Sequence, residues 1–128
     1  MTGGFYAAFF ILGVVMIKIK IKKKDDKISS IEAKGHACSA PHGKDIVCSA
    51  VSVLFETVGL ALEECGFSDF YEQKNGYMKI YIPKFHSEQE AEKCNFFLDI
   101  VVKSLKEITL EYPKNITYQE ESETIKKK

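Results

Sequence analysis

From Met16 onward apolar and charged positions alternate: Ile17, Ile19 and Ile21 interleave with Lys18, Lys20 and Lys22, the period of two that marks a strand with one apolar and one solvated face. Such lysines suit a solvated edge strand. Residues 23–27, with Asp25 and Asp26 at their centre, read as a charged hairpin turn into a second strand over 28–34, which delivers Gly35 and His36 at one end of a sheet. The period then changes. Val47, Val51, Leu54, Val58 and Leu62 recur at helical spacing, Asp45 is a good cap for the start of that helix, and Gly66 closes it. Between His36 and Asp45 the Ser, Pro and Gly residues predict a mobile loop.

The second half repeats the scheme. Asn75-Gly76 is a strong hairpin signal between strands at 70–74 and 77–83, with Met78, Ile80 and Ile82 on one face and Tyr77, Lys79 and Tyr81 on the other. Ser87 then caps a second helix, with Glu88, Glu90 and Glu92 suited to the positive end of its dipole. Its apolar face is Ala91, Cys94, Phe97, Leu98, Val101, Val102 and Leu105, which makes Cys94 a core residue; His86 is expected in an exposed loop. Pro113 ends the helical region, residues 116–119 form a last strand, and the polar tail, 121–128 at its end, is expected to fray. The order β-β-α-β-β-α-β predicts an α+β two-layer domain, with both helices on one face of a mainly antiparallel sheet. If the other sheet face were bare and apolar, self-association would follow.

Composition narrows the partners. With 128 residues, 45% of them hydrophobic, and Lys+Arg matching Asp+Glu at 18 each, the chain suits one globular domain and not a general nucleic-acid binder. The cysteines at 38, 48, 65 and 94 form no CxxC pair, so reduced thiols in a cytoplasm are expected before a disulfide framework. The apolar stretch 5–17 is shorter than the roughly 20 residues that span a bilayer. It also lacks the basic start and small-residue cleavage site of a secretory signal. Residues 1–15 are expected to be a mistaken start of translation, with Met16 first; if genuine, they are an apolar anchor and the only reason to expect a membrane.

The chemistry concentrates between Lys34 and Ser52. A thiol is a nucleophile only as thiolate, which a helix N-terminus and a neighbouring imidazolium both favour, and Cys48 stands at the third helical position, twelve residues after His36. That pairing suggests a cysteine hydrolase. A cysteine in an amphipathic helix is also, and more often, a small core hydrophobe. Ser52, one turn after Cys48 on the same face, can orient a catalytic group or bond within its own helix. Asp45 can cap the helix or orient His36. Cys65 at the helix end reads as structural.

Gly35-His36-Ala37, followed by Gly43-Lys44-Asp45-Ile46-Val47-Cys48-Ser49-Ala50-Val51-Ser52, resembles the paired signature of the ribosomal-processing cysteine protease family, Prp, over a domain of residues 16–120. The resemblance implies a catalytic dyad of His36 and Cys48, no cofactor and no metal, and a homodimer. It implies as substrate the precursor of large-subunit ribosomal protein number twenty-seven, whose apolar, aromatic-rich N-terminal extension is removed. The loop Ala37, Cys38, Ser39, Ala40, Pro41, His42, Gly43 and Lys44 is then expected to order over that extension, with Gly35 at its base; Cys38, Pro41 and His42 depart from the family pattern. Two other classes remain. His36, Cys38, His42 and Cys48 crowd together as in a zinc site, but their spacing fits no usual ligand pairs. A non-catalytic ribosome-associated binding module would share the strand and helix order; against it stand zero net charge and the absence of an RNA-stacking aromatic motif.

Overall fold

The computed structural model describes residues 16–35, 46–74 and 76–123. Strand β1 (Ile17–Lys24) turns at Asp25 and Asp26, whose φ angles of 52° and 66° give the left-handed two-residue turn that matches strand twist, and returns antiparallel as β2 (Lys27–Gly35). Helix α1 (Ile46–Glu64), the hairpin β3 (Tyr71–Lys74) and β4 (Tyr77–Tyr81), helix α2 (Glu88–Glu111) and strand β5 (Ile116–Glu123) follow. The sheet order is β3-β4-β2-β1-β5, antiparallel throughout except that β5 runs parallel to β1. This is the expected two-layer α+β architecture.

Both helices bury their apolar faces on the isoleucine side of the sheet. Ile17, Ile19, Ile21, Ile31, Ala33, Met78, Ile80 and Ile116 form one cluster with Val47, Val51, Phe55, Val58 and Leu62 of α1 and Leu98, Val101, Val102 and Leu105 of α2. Ile28 joins them although it lies three residues before Ile31. A register shift opposite Lys22 and Lys23 inserts one extra residue in β2, and this bulge returns Ile28 to the inner face. By length and composition α1 could cross a membrane, a test that core helices also pass; here its Phe55 and Val58 are fully buried against the sheet. It stops where Gly66 takes φ +89° and Phe67 N–H reaches back to Leu62 O at 3.1 Å. Ser87 caps α2 by accepting from Glu90 N–H at 3.1 Å, while the Glu90 carboxylate accepts from His86 N–H at 2.9 Å. His86 is exposed, as expected, and its ring stacks on Phe67.

Three expectations need correction, and the open question of the second sheet face is answered. β1 is an interior strand between β2 and β5, so its lysines line the solvent face of the sheet's middle and not an edge. β5 runs on to Glu123, because Glu120 and Glu121 meet lysines of the parallel strand: Lys20 lies 3.5 Å from Glu121 and Lys23 lies 3.6 Å from Glu120. Residues 121–123 therefore belong to the sheet, while 124–128 and 1–15 lie outside the described residues. Cys94 is half-buried beside Cys65 and not in the core. The second sheet face is not apolar: Lys18, Lys20, Glu32, Lys34, Lys79 and Tyr81 occupy it, and exposed apolar side chains lie instead on the helices at Ile46, Val53, Leu60, Phe96 and Leu110.

Glu120 ties β5 to β1 and α2. Tyr118 Oη donates to it at 2.5 Å and Lys106 Nζ lies 3.1 Å away; these hydrogen bonds, with the Lys23 and Lys106 charges, outweigh burial and hold the carboxyl below its ordinary pKa. A depressed carboxyl adds stability above its unfolded pKa and loses it as pH falls through the folded one. Glu120→Gln should cost roughly 1 kcal/mol at neutral pH and less at pH 3, as the wild-type carboxyl takes up its proton. Urea melts at pH 7 and pH 3 check this; an equal cost at both would refute it.

Candidate active site

Cys48 is the third residue of α1 and fully buried, in the first turn whose N–H groups have no partner within the helix. α1 starts at the same end of the domain at which β2 finishes. The two helices are antiparallel, since the first turns of α1 line a groove with the later turns of α2 while Cys65 at the end of α1 touches Cys94 near the start of α2. α2 then leads through Asn115, whose carbonyl accepts from Ile17 N–H at 2.8 Å, into Ile116, which pairs with Ile17, which in turn pairs with Gly35. Cys48 and Gly35 thus belong to one end of the sheet and helix layers.

Gly35 is held tightly there. Its φ is +102°, its N–H donates to Gly76 O at 2.9 Å, and a side chain on it would put Cβ 2.2 Å from Met16 O. Only glycine fits so close to a backbone carbonyl. The hairpin between β3 and β4 is legible in the sequence, but the use of Gly76 as the anchor for Gly35 is not, because nothing local links the two. Nearby Tyr77 has its hydroxyl pushed up to about 12, chiefly by burial, then by its hydrogen bond with Glu32 and the charges of Glu32, Glu72 and Tyr81. It is a donor there and not a base.

Ser52 shares the Cys48 side of the helix, is only 5% exposed, and its Oγ has no hydrogen-bond partner among the described residues. The expected bond within its own helix is not made. An unpaired buried hydroxyl costs about 1–3 kcal/mol. His36, the loop residues 37–44 and Asp45 lie outside the described residues. Of the four cysteine and histidine residues considered for zinc, Cys48 alone is within them, and among the described residues no three His, Cys, Asp or Glu side chains are grouped to hold a metal. The apolar groove formed by Ala50, Val53 and Leu54 with Ser104 and Ile108 lies on the opposite side of α1 from Cys48, at about 100° per residue.

The family model for Cysteine protease Prp matches residues 16–117. The ribosomal processing cysteine protease Prp of Bacillus subtilis (strain 168) is 30% identical over 105 residues, which are 79% of this chain and 94% of the relative. A crystal structure from Streptococcus mutans superposes with a TM-score of 0.68 at 28% identity, covering 84% of this chain and 96% of that one. The S. aureus ribosomal processing protease Prp, solved with a covalently linked product peptide, gives a TM-score of 0.68 at 23% identity and shares the fold over 83% of this chain and 100% of its own. The two-layer domain with a thiol in its first helical turn is that of a cysteine protease. The chain belongs to the Prp family of ribosomal-processing cysteine proteases.

Proposed function

We propose that this protease removes the N-terminal extension of large-subunit ribosomal protein number twenty-seven, with Cys48 and His36 as its dyad. The observation that carries the reading is the common end of the domain: β2 finishes at Gly35, immediately before His36, where α1 begins with Cys48 buried in its first turn. Cys48 thiolate attacks the scissile carbonyl. His36 first stabilises the thiolate as imidazolium and then protonates the leaving amine, and the first-turn N–H groups of α1 receive the oxyanion. Ser52 offers its unpaired hydroxyl to orient the imidazole, Asp45 caps the helix or shares that task, and Gly35 is the fixed base from which loop 37–44 orders over the substrate. Mixing the protein with the extended ribosomal precursor should yield two fragment masses, and amide exchange in 37–44 should slow when a peptide of the extension binds. An uncut precursor under conditions where the protein is folded would refute the substrate.

The same proposal makes the enzyme a cytoplasmic homodimer that binds no nucleic acid directly. Self-association is best supported on the helix layer, where Ile46, Val53 and Leu60 form an exposed apolar stripe on the outer side of α1, at 65%, 59% and 63% exposure, beside the groove with α2. Val53→Glu should weaken the dimer roughly 100-fold by desolvating a charge in that interface. Light scattering behind size exclusion reads it, and a dimer unchanged by the substitution would move the interface elsewhere.

A further inference from the structure

At the end of the helix layer away from Cys48, the last turn of α1 meets the second turn of α2, and Cys65 Sγ faces Cys94 Sγ at 3.9 Å. Both are free thiols and half-buried. Phe67 holds this end together, stacked on His86 at 4.8 Å and edge-on to Phe85 at 5.9 Å, so the segments carrying the two thiols are kept in contact. Cys65 lies one residue beyond the helix proper, its N–H shared between Ala61 O at 3.3 Å and Leu62 O at 3.1 Å, with Gly66 at φ +89° following. Sulfurs in a disulfide are about 2.05 Å apart. The two sulfurs at 3.9 Å therefore have less than about 2 Å to close.

We propose that Cys65 and Cys94 are a redox pair that closes to an intramolecular disulfide and clasps the helix layer at the end remote from the catalytic thiol. The oxidant is a low-molecular-weight disulfide. Cys65 as thiolate attacks one of its sulfurs and releases one small thiolate; Cys94 then loses its proton and attacks Cys65 Sγ, releasing the second. The protein gives up two electrons and two protons, and the reagent leaves as two thiols. Burial above all, then the hydrogen bond with Cys65 and the charges of Cys65 and Glu90, push the Cys94 thiol up to about 11, which leaves little Cys94 thiolate at neutral pH and slows the closing step. Cys48 is seventeen residues back along α1, about 25 Å at the helical rise, and takes no part.

Oxidised glutathione at pH 8, followed by acid quench and a non-reducing peptide mass map of the full-length protein, tests the clasp. A peptide pair joined through Cys65 and Cys94, two hydrogens lighter than the free thiols, is expected in the wild type and equally in Cys48→Ala. The melting midpoint should rise by on the order of 10 °C, fall back with dithiothreitol, and stay unmoved in Cys65→Ser and Cys94→Ser. Glutathione retained on either residue with no linked pair, linkage of either to Cys38 or Cys48, or a linked pair with no gain in melting midpoint would overturn the proposal.

Discussion

Cys48→Ala should abolish cleavage while leaving the protein folded. In the proposed mechanism the substitution removes the nucleophile, and loss of an attacking group typically costs roughly four to six orders of magnitude in turnover. Its structural cost is far smaller. Cys48 is fully buried among Val47, Val51 and their sheet partners, so replacing its sulfur by hydrogen leaves a void of one atom at a cost of about 1–2 kcal/mol. A domain of this size has about 5–15 kcal/mol of stability to draw on. Cys65→Ala and Cys94→Ala should cleave like the wild type, because both lie at the opposite end of the helix pair. Iodoacetamide offers a second readout: alkylation of Cys48 reports opening of the catalytic end. Full activity in Cys48→Ala, or a folded enzyme alkylated at Cys38 and never at Cys48, would remove Cys48 from the chemistry.

Much of this could be seen in the chain because local rules and tertiary packing agree. The isoleucine and lysine alternation from Ile17 to Lys22 gives the strand and its inner face, and the spacing of Val47, Val51, Val58 and Leu62 gives the helix and hence the side on which Cys48 sits. Alternation reports faces and not neighbours, so an interior strand with one solvated face reads the same as an edge strand. The extension of β5 was hidden for a related reason. Ile116 to Glu123 ends in glutamates with little strand preference, and these are drawn into the ladder by the lysines of β1, more than ninety residues earlier. Ser52 could be placed beside Cys48 by the helical repeat, but that its hydroxyl lacks a bond within the helix depends on side-chain direction. The meeting of Cys65 with Cys94 depends on how the two helices cross, about which neither helix's own sequence says anything.

Gly35→Ala should cost both stability and cleavage. Two costs coincide there. At φ +102° an L side chain is strained, and the added Cβ would lie 2.2 Å from the Met16 carbonyl oxygen, a backbone atom that cannot rotate away. Relief requires the start of β1 to separate from the end of β2, or Gly35 to abandon its bond to Gly76 O. We expect a loss of at least about 2 kcal/mol from backbone strain and displacement together. The effect on cleavage should exceed what unfolding explains. In the proposed dyad His36 is the next residue, so a shift of Gly35 would displace it, and a misplacement of about 1 Å costs on the order of 100-fold in rate. Gly66→Ala is the matched control: its φ of +89° carries the same kind of strain, but nothing lies within 4 Å of the added Cβ, and it sits at the far end of α1. Thermal melts and kcat/KM at a temperature where both variants are folded separate the terms. Gly66→Ala should lose stability alone, whereas Gly35→Ala should lose more stability and most of its activity; equal effects would show that the Met16 contact does not position the catalytic end.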